Sequence, residues 1–263
     1  MNNNNICTAC GTQFQTEKNS IELCPICTDE RQSVPEKGQS WTNLNELQDT
    51  YGVIIKKLNE TLYELKMAPS FAIGQRALLV ITPGGNILWD CIALINEPAI
   101  TFLKSKGGLK AIAISHPHYY TTMNEWASTF DCPVYIHYND EKWIYNRGIH
   151  IETWQGIEKE LWDGMRLINI GGHFQGSSIL YVPFLSAGGT VLCGDTFAIS
   201  PSKKHIAIMY SYLNKIPLPV KEVQRIRKQM SGIAFDTIHG FWDFQNIYLD
   251  AKKILDDSLA RYE

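Results

Sequence analysis

No run in this 263-residue chain approaches the ~18 consecutive apolar residues of a membrane-spanning helix, so no membrane association is expected. Surplus positive charge is also missing: 24 Lys and Arg stand against 27 Asp and Glu, which argues against a nucleic-acid partner held through a basic surface. Internal repeats are absent, and the only low-complexity stretch is the short Asn run at residues 2–5, read as a solvated tail. The first residues lack the basic start and apolar middle of a signal peptide, so a cytoplasmic location is expected. In that reducing compartment the seven cysteines are expected to be metal ligands or buried thiols rather than a disulfide framework. What is present is ample apolar material. At 44% hydrophobic residues the chain can bury a large core, and its length suits one or two domains.

Four cysteines lie in the first 27 residues, as Cys7-Thr8-Ala9-Cys10 and Cys24-Pro25-Ile26-Cys27. Two Cys-x-x-Cys pairs joined by a short spacer have the ligand pattern of a closed, tetrahedral Zn2+ site. Gly11 and Pro25 suit tight turns, and the spacer 11–23 is long enough for a hairpin, as in a zinc ribbon. A segment of about 30 residues cannot enclose a sufficient core, so the ion would supply much of its folding free energy. Four thiolates leave no position for a substrate, which makes the expected role structural. A redox dithiol is the weaker alternative, because no βαβ pattern surrounds the pairs. Cys91, Cys132 and Cys193 sit among apolar residues and read as buried thiols. Residues 1–34 are therefore expected to form a zinc ribbon, 35–40 a linker and 41–263 the main domain.

Beyond the linker, Thr42 is placed to cap a short helix through Leu47, and residues 62–67 read as a strand. Two apolar runs, 77–82 and 86–91, flank Pro83-Gly84-Gly85 and predict a hairpin. Strands are expected at 109–114, 133–137, 166–170, 178–182, 190–193 and 235–238, and helices at 124–130 and 220–230. Ile247, Ala251, Ile254, Leu255 and Leu259 mark a closing amphipathic helix. Strands mixed with helices throughout indicate an α/β or α+β domain of layered sheets and helices.

The histidines gain meaning from position. His116 and His118 follow directly on the 109–114 run, and Pro117 between them disfavours helical continuation. Thr122 and Glu125 have capping-box spacing, which predicts a helix start there. His173 follows Gly171-Gly172, Asp195 follows Gly194, and His239 precedes Gly240, each just past an expected strand. Strand ends are where α/β folds build sites, and His and Asp are zinc ligands. His137, His150 and His205 lack the pattern and receive no role.

His116-Pro117-His118, Gly171-Gly172-His173, Cys193-Gly194-Asp195 and His239-Gly240 together resemble the ordered motifs of the metallo-β-lactamase-fold hydrolases. The hairpin ending in Asp90 resembles that fold's start. The segment Cys24 to Gln32, leading to Trp41-Thr42, resembles a branch that couples a zinc ribbon to it. The resemblance covers residues from about Phe71 to the final helix. It implies an αββα sandwich in which His116, His118 and His173 bind a first metal, Asp195 bridges, and His239 belongs to a second. The chain departs from the family's His-x-His-x-Asp-His pattern, because Tyr120 and Thr121 stand where Asp and His are usual. Neutral hydroxyls are poor zinc ligands, so one held metal is expected rather than two; tyrosine suits iron as well, which leaves iron open.

These residues lead to a metal-dependent hydrolase acting on a small ester, lactone or thioester. Zinc held by three histidines keeps an open position and lowers the pKa of bound water to about 7, supplying hydroxide at neutral pH. Asp195 would orient that water or accept its proton, and Tyr119 or Tyr120 would donate to the oxyanion or else pack under the loop. Phe241 and Trp242 would wall the pocket or join the core. Two rivals stand beside this reading. A nucleic-acid processor would use the ribbon and the cluster Lys221, Arg225, Arg227 and Lys228, although these lie on the polar side of an amphipathic helix. A non-catalytic metal-binding protein would follow from the loss of the Asp and His.

Overall fold

The computed structural model describes residues 5–15 and 22–262, so residues 16–21 of the expected ribbon spacer and the start of the Asn run lie outside it. Among the described residues the main domain contains a seven-stranded and a six-stranded sheet. The first runs, in spatial order, Ile151–Trp154, Val134–His137, Ala111–Ala113, Ile87–Trp89, Arg76–Val80, Leu62–Ala68 and Gly52–Lys57. The second runs Glu158–Glu160, Arg166–Asn169, Ser178–Val182, Thr190–Gly194, Thr237–Gly240 and Asn246–Ile247. Leu78, Val80 and Trp89 of the first sheet pack with Leu180, Val182 and Leu192 of the second in one buried cluster between them.

The opposite faces carry helices. Leu79, Leu88 and Ile112 pack with α1 (Leu44–Thr50), α2 (Glu97–Ser105) and α3 (Met123–Phe130). Ile179, Val191 and Ile238 pack with α4 (Val220–Met230) and α5 (Ala251–Leu259). This is the expected αββα sandwich. With both faces covered, the central strands read as continuous apolar runs rather than alternating ones. Each fully buried Leu, Ile or Val contributes roughly 1.5–3 kcal/mol through removal from water. No helix among the described residues is long and apolar enough to cross a membrane.

Local details differ from the sequence pattern where tertiary partners intervene. Asn43, not Thr42, caps α1 by accepting from the Glu46 N–H, while Thr42 is drawn into a strand. The Thr122–Glu125 capping box does not form, because the Thr122 hydroxyl donates to the Ile92 carbonyl. Ile247 pairs with Ile238 in the second sheet, so the closing helix starts only at Ala251. The strand expected over 235–238 is shifted to Thr237–Gly240 by its parallel pairing with Thr190–Gly194.

In the N-terminal module, Asn5–Cys7 pairs with Gln13–Phe14 on one side and with Trp41–Thr42 on the other. The stretch 35–40 rests on the module rather than spanning open space. The Ser40 carbonyl accepts from the Thr8 N–H, and the Gln39 amide donates to Cys7 Sγ.

Candidate metal centres

Cys7, Cys10, Cys24 and Cys27 are buried, and their Sγ atoms lie within 4.8 Å of one another. The Cys7–Cys27 and Cys10–Cys24 sulfurs are each 3.7 Å apart. That is too long for a disulfide, and it matches the ~3.8 Å edge of a tetrahedron with Zn–S bonds of about 2.3 Å. Hydrogen bonds from the other three thiols hold Cys7 well below its ordinary pKa, while the bond with Cys24 pushes Cys10 up. Such a set cannot carry several thiolates side by side without a cation.

The second group forms at one end of the sandwich. His116 is extended beyond the strand Ala111–Ala113, and the chain then makes a tight 3-10 turn over Pro117–Tyr119, which swings His118 back beside it with ring centroids 5.0 Å apart. Gly171 and Gly172 both have positive φ, and that turn delivers His173 from the end of Arg166–Asn169. Asp195 follows the strand Thr190–Gly194. One donor atom from each of His116, His118, His173 and Asp195 lies within 4.8 Å of all the others. His118 Nδ1 and His173 Nε2 are 3.3 Å apart, and His116 Nε2 and Asp195 Oδ2 are 3.6 Å apart. Ligands on zinc at about 2.1 Å are separated by about 3.4 Å in a tetrahedron, so the donors fit one ion.

The histidines are held by groups behind them. The Tyr210 carbonyl, which can only accept, lies 2.7 Å from His173 Nδ1; this nitrogen carries the proton and Nε2 keeps its lone pair. His116 Nδ1 lies 2.8 Å from Ser115 Oγ, and the Ser115 N–H donates to buried Asp90. Burial pushes His116 and His173 down to about 3 and His118 well below its ordinary value, so all three imidazoles are neutral at pH 7, as ligands must be. His116 Nε2, the nitrogen that faces Asp195, is buried without a hydrogen-bond partner. A buried orphan nitrogen is costly, and a cation would satisfy it. Burial raises Asp195 to about 6, with His173 opposing the rise.

The cluster opens into a cavity of about 410 Å³ whose walls include Ile73, Leu213, Phe241 and Trp242. Asp195, His118 and His173 reach it, as do Tyr212, Arg31 and Gln32. Phe241 and Trp242 thus do line the pocket.

Compared with curated proteins, the chain is 38% identical over 237 residues to the uncharacterized protein YmaE of Bacillus subtilis (strain 168), covering 89% of this chain and 86% of that one. The chain belongs to the YmaE family. No protein-family model matches the sequence. Among solved structures, TMB-1 aligns with a TM-score of 0.61 at 14% identity, over 80% of this chain and 98% of that one. The metallo-β-lactamase DIM-1 gives 0.58 at 14% identity, over 80% and 98%. FIM-1 from Pseudomonas aeruginosa, in a mono-zinc form, gives 0.55 at 11% identity, over 80% and 95%. This YmaE-family chain therefore has the metallo-β-lactamase fold, preceded by a four-cysteine cluster.

Other residues singled out in the sequence are placed as follows in this YmaE-family member. His239 is buried, but it is not one of the four converging residues; its Nδ1 lies 2.8 Å from Asn246 Oδ1. The Tyr120 hydroxyl donates to the Asp140 carbonyl at 3.1 Å, and the Thr121 carbonyl accepts from the Gln13 N–H of the N-terminal module at 2.9 Å. Tyr119 is buried with its ring 5.3 Å from that of His116. Cys91, Cys132 and Cys193 are buried free thiols. Arg225 of the basic cluster is paired with Glu222 and donates to the Ile170 carbonyl. Sequence reasoning assigned no role to Arg31, Gln32, Tyr210 or Tyr212, because their place at the site depends on contacts between distant segments.

Proposed function

We propose that this protein is a metal-dependent hydrolase with one zinc ion held by His116, His118 and His173 and flanked by Asp195, an arrangement that leaves a coordination position open, acting on a small-molecule ester, lactone or thioester. The observation that carries the reading is the convergence of three neutral, buried imidazoles and a carboxylate beneath a cavity, with His116 Nε2 otherwise unpartnered. An ion bound there would supply Lewis acidity toward water and toward a substrate carbonyl oxygen. Asp195, with 18% of its side chain exposed at the cavity, is the group that orients water and holds or passes its proton. Phe241, Trp242 and Leu213 exclude water and receive the apolar part of the substrate. The Tyr120 hydroxyl donates to the Asp140 carbonyl, and among the described residues His239 is not one of the four that converge, which supports a single ion at this site. The four cysteines hold a second, structural zinc. A cytoplasmic setting, which keeps thiols reduced, suits such a site.

Elemental analysis of the purified full chain tests this reading. Two zinc ions per chain are expected, one in each site. Three metals would restore a dinuclear centre, and iron in place of the second zinc would overturn the assignment of metal. Asp195→Ala is expected to lower the rate of ester or thioester hydrolysis by at least about 10²-fold while the cysteine-bound zinc is retained. An unchanged rate would refute Asp195 as the proton-handling group. Absence of turnover by the metal-replete wild type on esters, lactones and thioesters would sink the substrate class.

A further inference from the structure

Arg31 lies just beyond the second cysteine pair, and it is where the N-terminal module reaches the histidine cluster. Its Nε donates to the His173 carbonyl at 2.6 Å, and its Nη1 pairs with Asp29 at 2.6 Å. The guanidinium carbon sits 4.2 Å from the Tyr210 ring centroid and 4.4 Å from that of Phe174. Tyr210 is the residue whose carbonyl receives the His173 Nδ1 proton, and its hydroxyl donates to Glu30. His173 is therefore gripped at two points, its own carbonyl and its Nδ1, by groups that both rest on the segment 29–31.

That segment is itself fixed at both ends. On the module side, the Thr28 N–H donates to the Cys24 carbonyl, which closes the turn of the second cysteine pair, and the Gln32 N–H donates to Asp29. On the domain side, the Ser211 hydroxyl donates to the Arg31 carbonyl, and the Asn214 amide donates to the carbonyls of Glu30 and Gln32. Only 11% of the Arg31 side chain is exposed. A guanidinium this enclosed is tolerated because its planar donors meet a carboxylate and a carbonyl while aromatic rings cover its face.

We propose that Arg31 is a positioning residue through which the metal-bound cysteine module sets the pose of His173, and with it the metal affinity of the histidine site. The proposal rests on the reading of His116, His118, His173 and Asp195 as a metal site. Through Arg31 the module is part of the hydrolytic centre's construction rather than an appendage.

Cobalt(II) binding to the full chain tests it. Thiolate-to-cobalt charge-transfer bands report the cysteine site, the weaker ligand-field bands of imidazole and carboxylate ligands report the histidine site, and chelator competition gives a Kd for each. Arg31→Ala is expected to weaken the histidine site by about 10- to 100-fold, the usual effect of removing a ligand's supporting partner, and to leave the cysteine site unchanged. Arg31→Lys keeps the charge but lacks the planar fork that spans the His173 carbonyl and Asp29 and stacks on the aromatic rings, so it should fall between wild type and Arg31→Ala. Wild-type affinity at the histidine site in either folded variant overturns the proposal, as does an equal loss at both sites in a folded chain. Should Arg31→Ala fail to fold, Arg31→Lys is read by the same criterion. A wild-type chain that binds cobalt only at its cysteines would instead sink the hydrolase reading itself.

Discussion

Gly194 sits one position before Asp195 with φ of +51°, a left-handed conformation that is costly for any residue with a Cβ. A Cβ there would come within 2.5 Å of the Ser115 hydroxyl, the group beside His116 Nδ1. Gly194→Ala should therefore cost about 1–3 kcal/mol in urea unfolding and release metal from the histidine site while the cysteine-bound metal stays; full retention of both metals would contradict this. Asp140 is a second residue under strain of a different kind. Burial raises its carboxyl to about 7, and its Oδ2 has no hydrogen-bond partner. The native state thus binds this proton more tightly than the unfolded chain, whose Asp titrates near ~3.9. The stability it contributes is complete below about pH 4 and is lost as pH rises through about 7, with a total on the order of 4 kcal/mol. Asp140→Asn should remove that loss, so the difference in melting temperature between variant and wild type should grow from pH 4 to pH 7. A constant difference would show that Asp140 titrates normally.

At the scale of elements, the strand Ser178–Val182 carries Leu180 into the core between the sheets and Ile179 into the outer layer. Leu180→Ala should destabilise the protein by roughly 2–5 kcal/mol, because packing on both sides restricts collapse of the cavity; chemical denaturation measures it. Strands of this kind were legible as apolar runs, and α4 was legible from Val223, Ile226 and Met230 on one face. Ends were less so. Local chemistry at Thr42, Thr122 and Ile247 pointed one way, and each was claimed by a distant partner: Ile6 pairs with Thr42, Ile92 accepts from Thr122, and Ile238 pairs with Ile247. Single hydrogen bonds of about 1 kcal/mol decide such boundaries, so tertiary contacts override them easily.

For the whole molecule, buried Arg76 joins the two sheets. It pairs with Glu64 at 2.6 Å in the first sheet and donates to the Gly240 carbonyl and Asn246 in the second. Arg76→Ala should cost about 3–5 kcal/mol by leaving Glu64 charged and unpaired, and Glu64→Gln in that background should recover part of the loss. A loss under 1 kcal/mol in denaturant titration would show that the pair is dispensable. The same scale separates what each level of description decides. By itself the sequence determined which residues carry donors, that four cysteines stand in two close pairs, and that His116, His118, His173 and Asp195 lie at strand ends, because those features follow from spacing and local backbone preference. Only the tertiary structure decided that these four converge without His239, that Tyr120 turns to Asp140, and that Arg31 reaches His173 across 142 positions of chain. Convergence of that kind depends on how sheets and module pack, and packing energy is shared among many side chains rather than written in any short stretch.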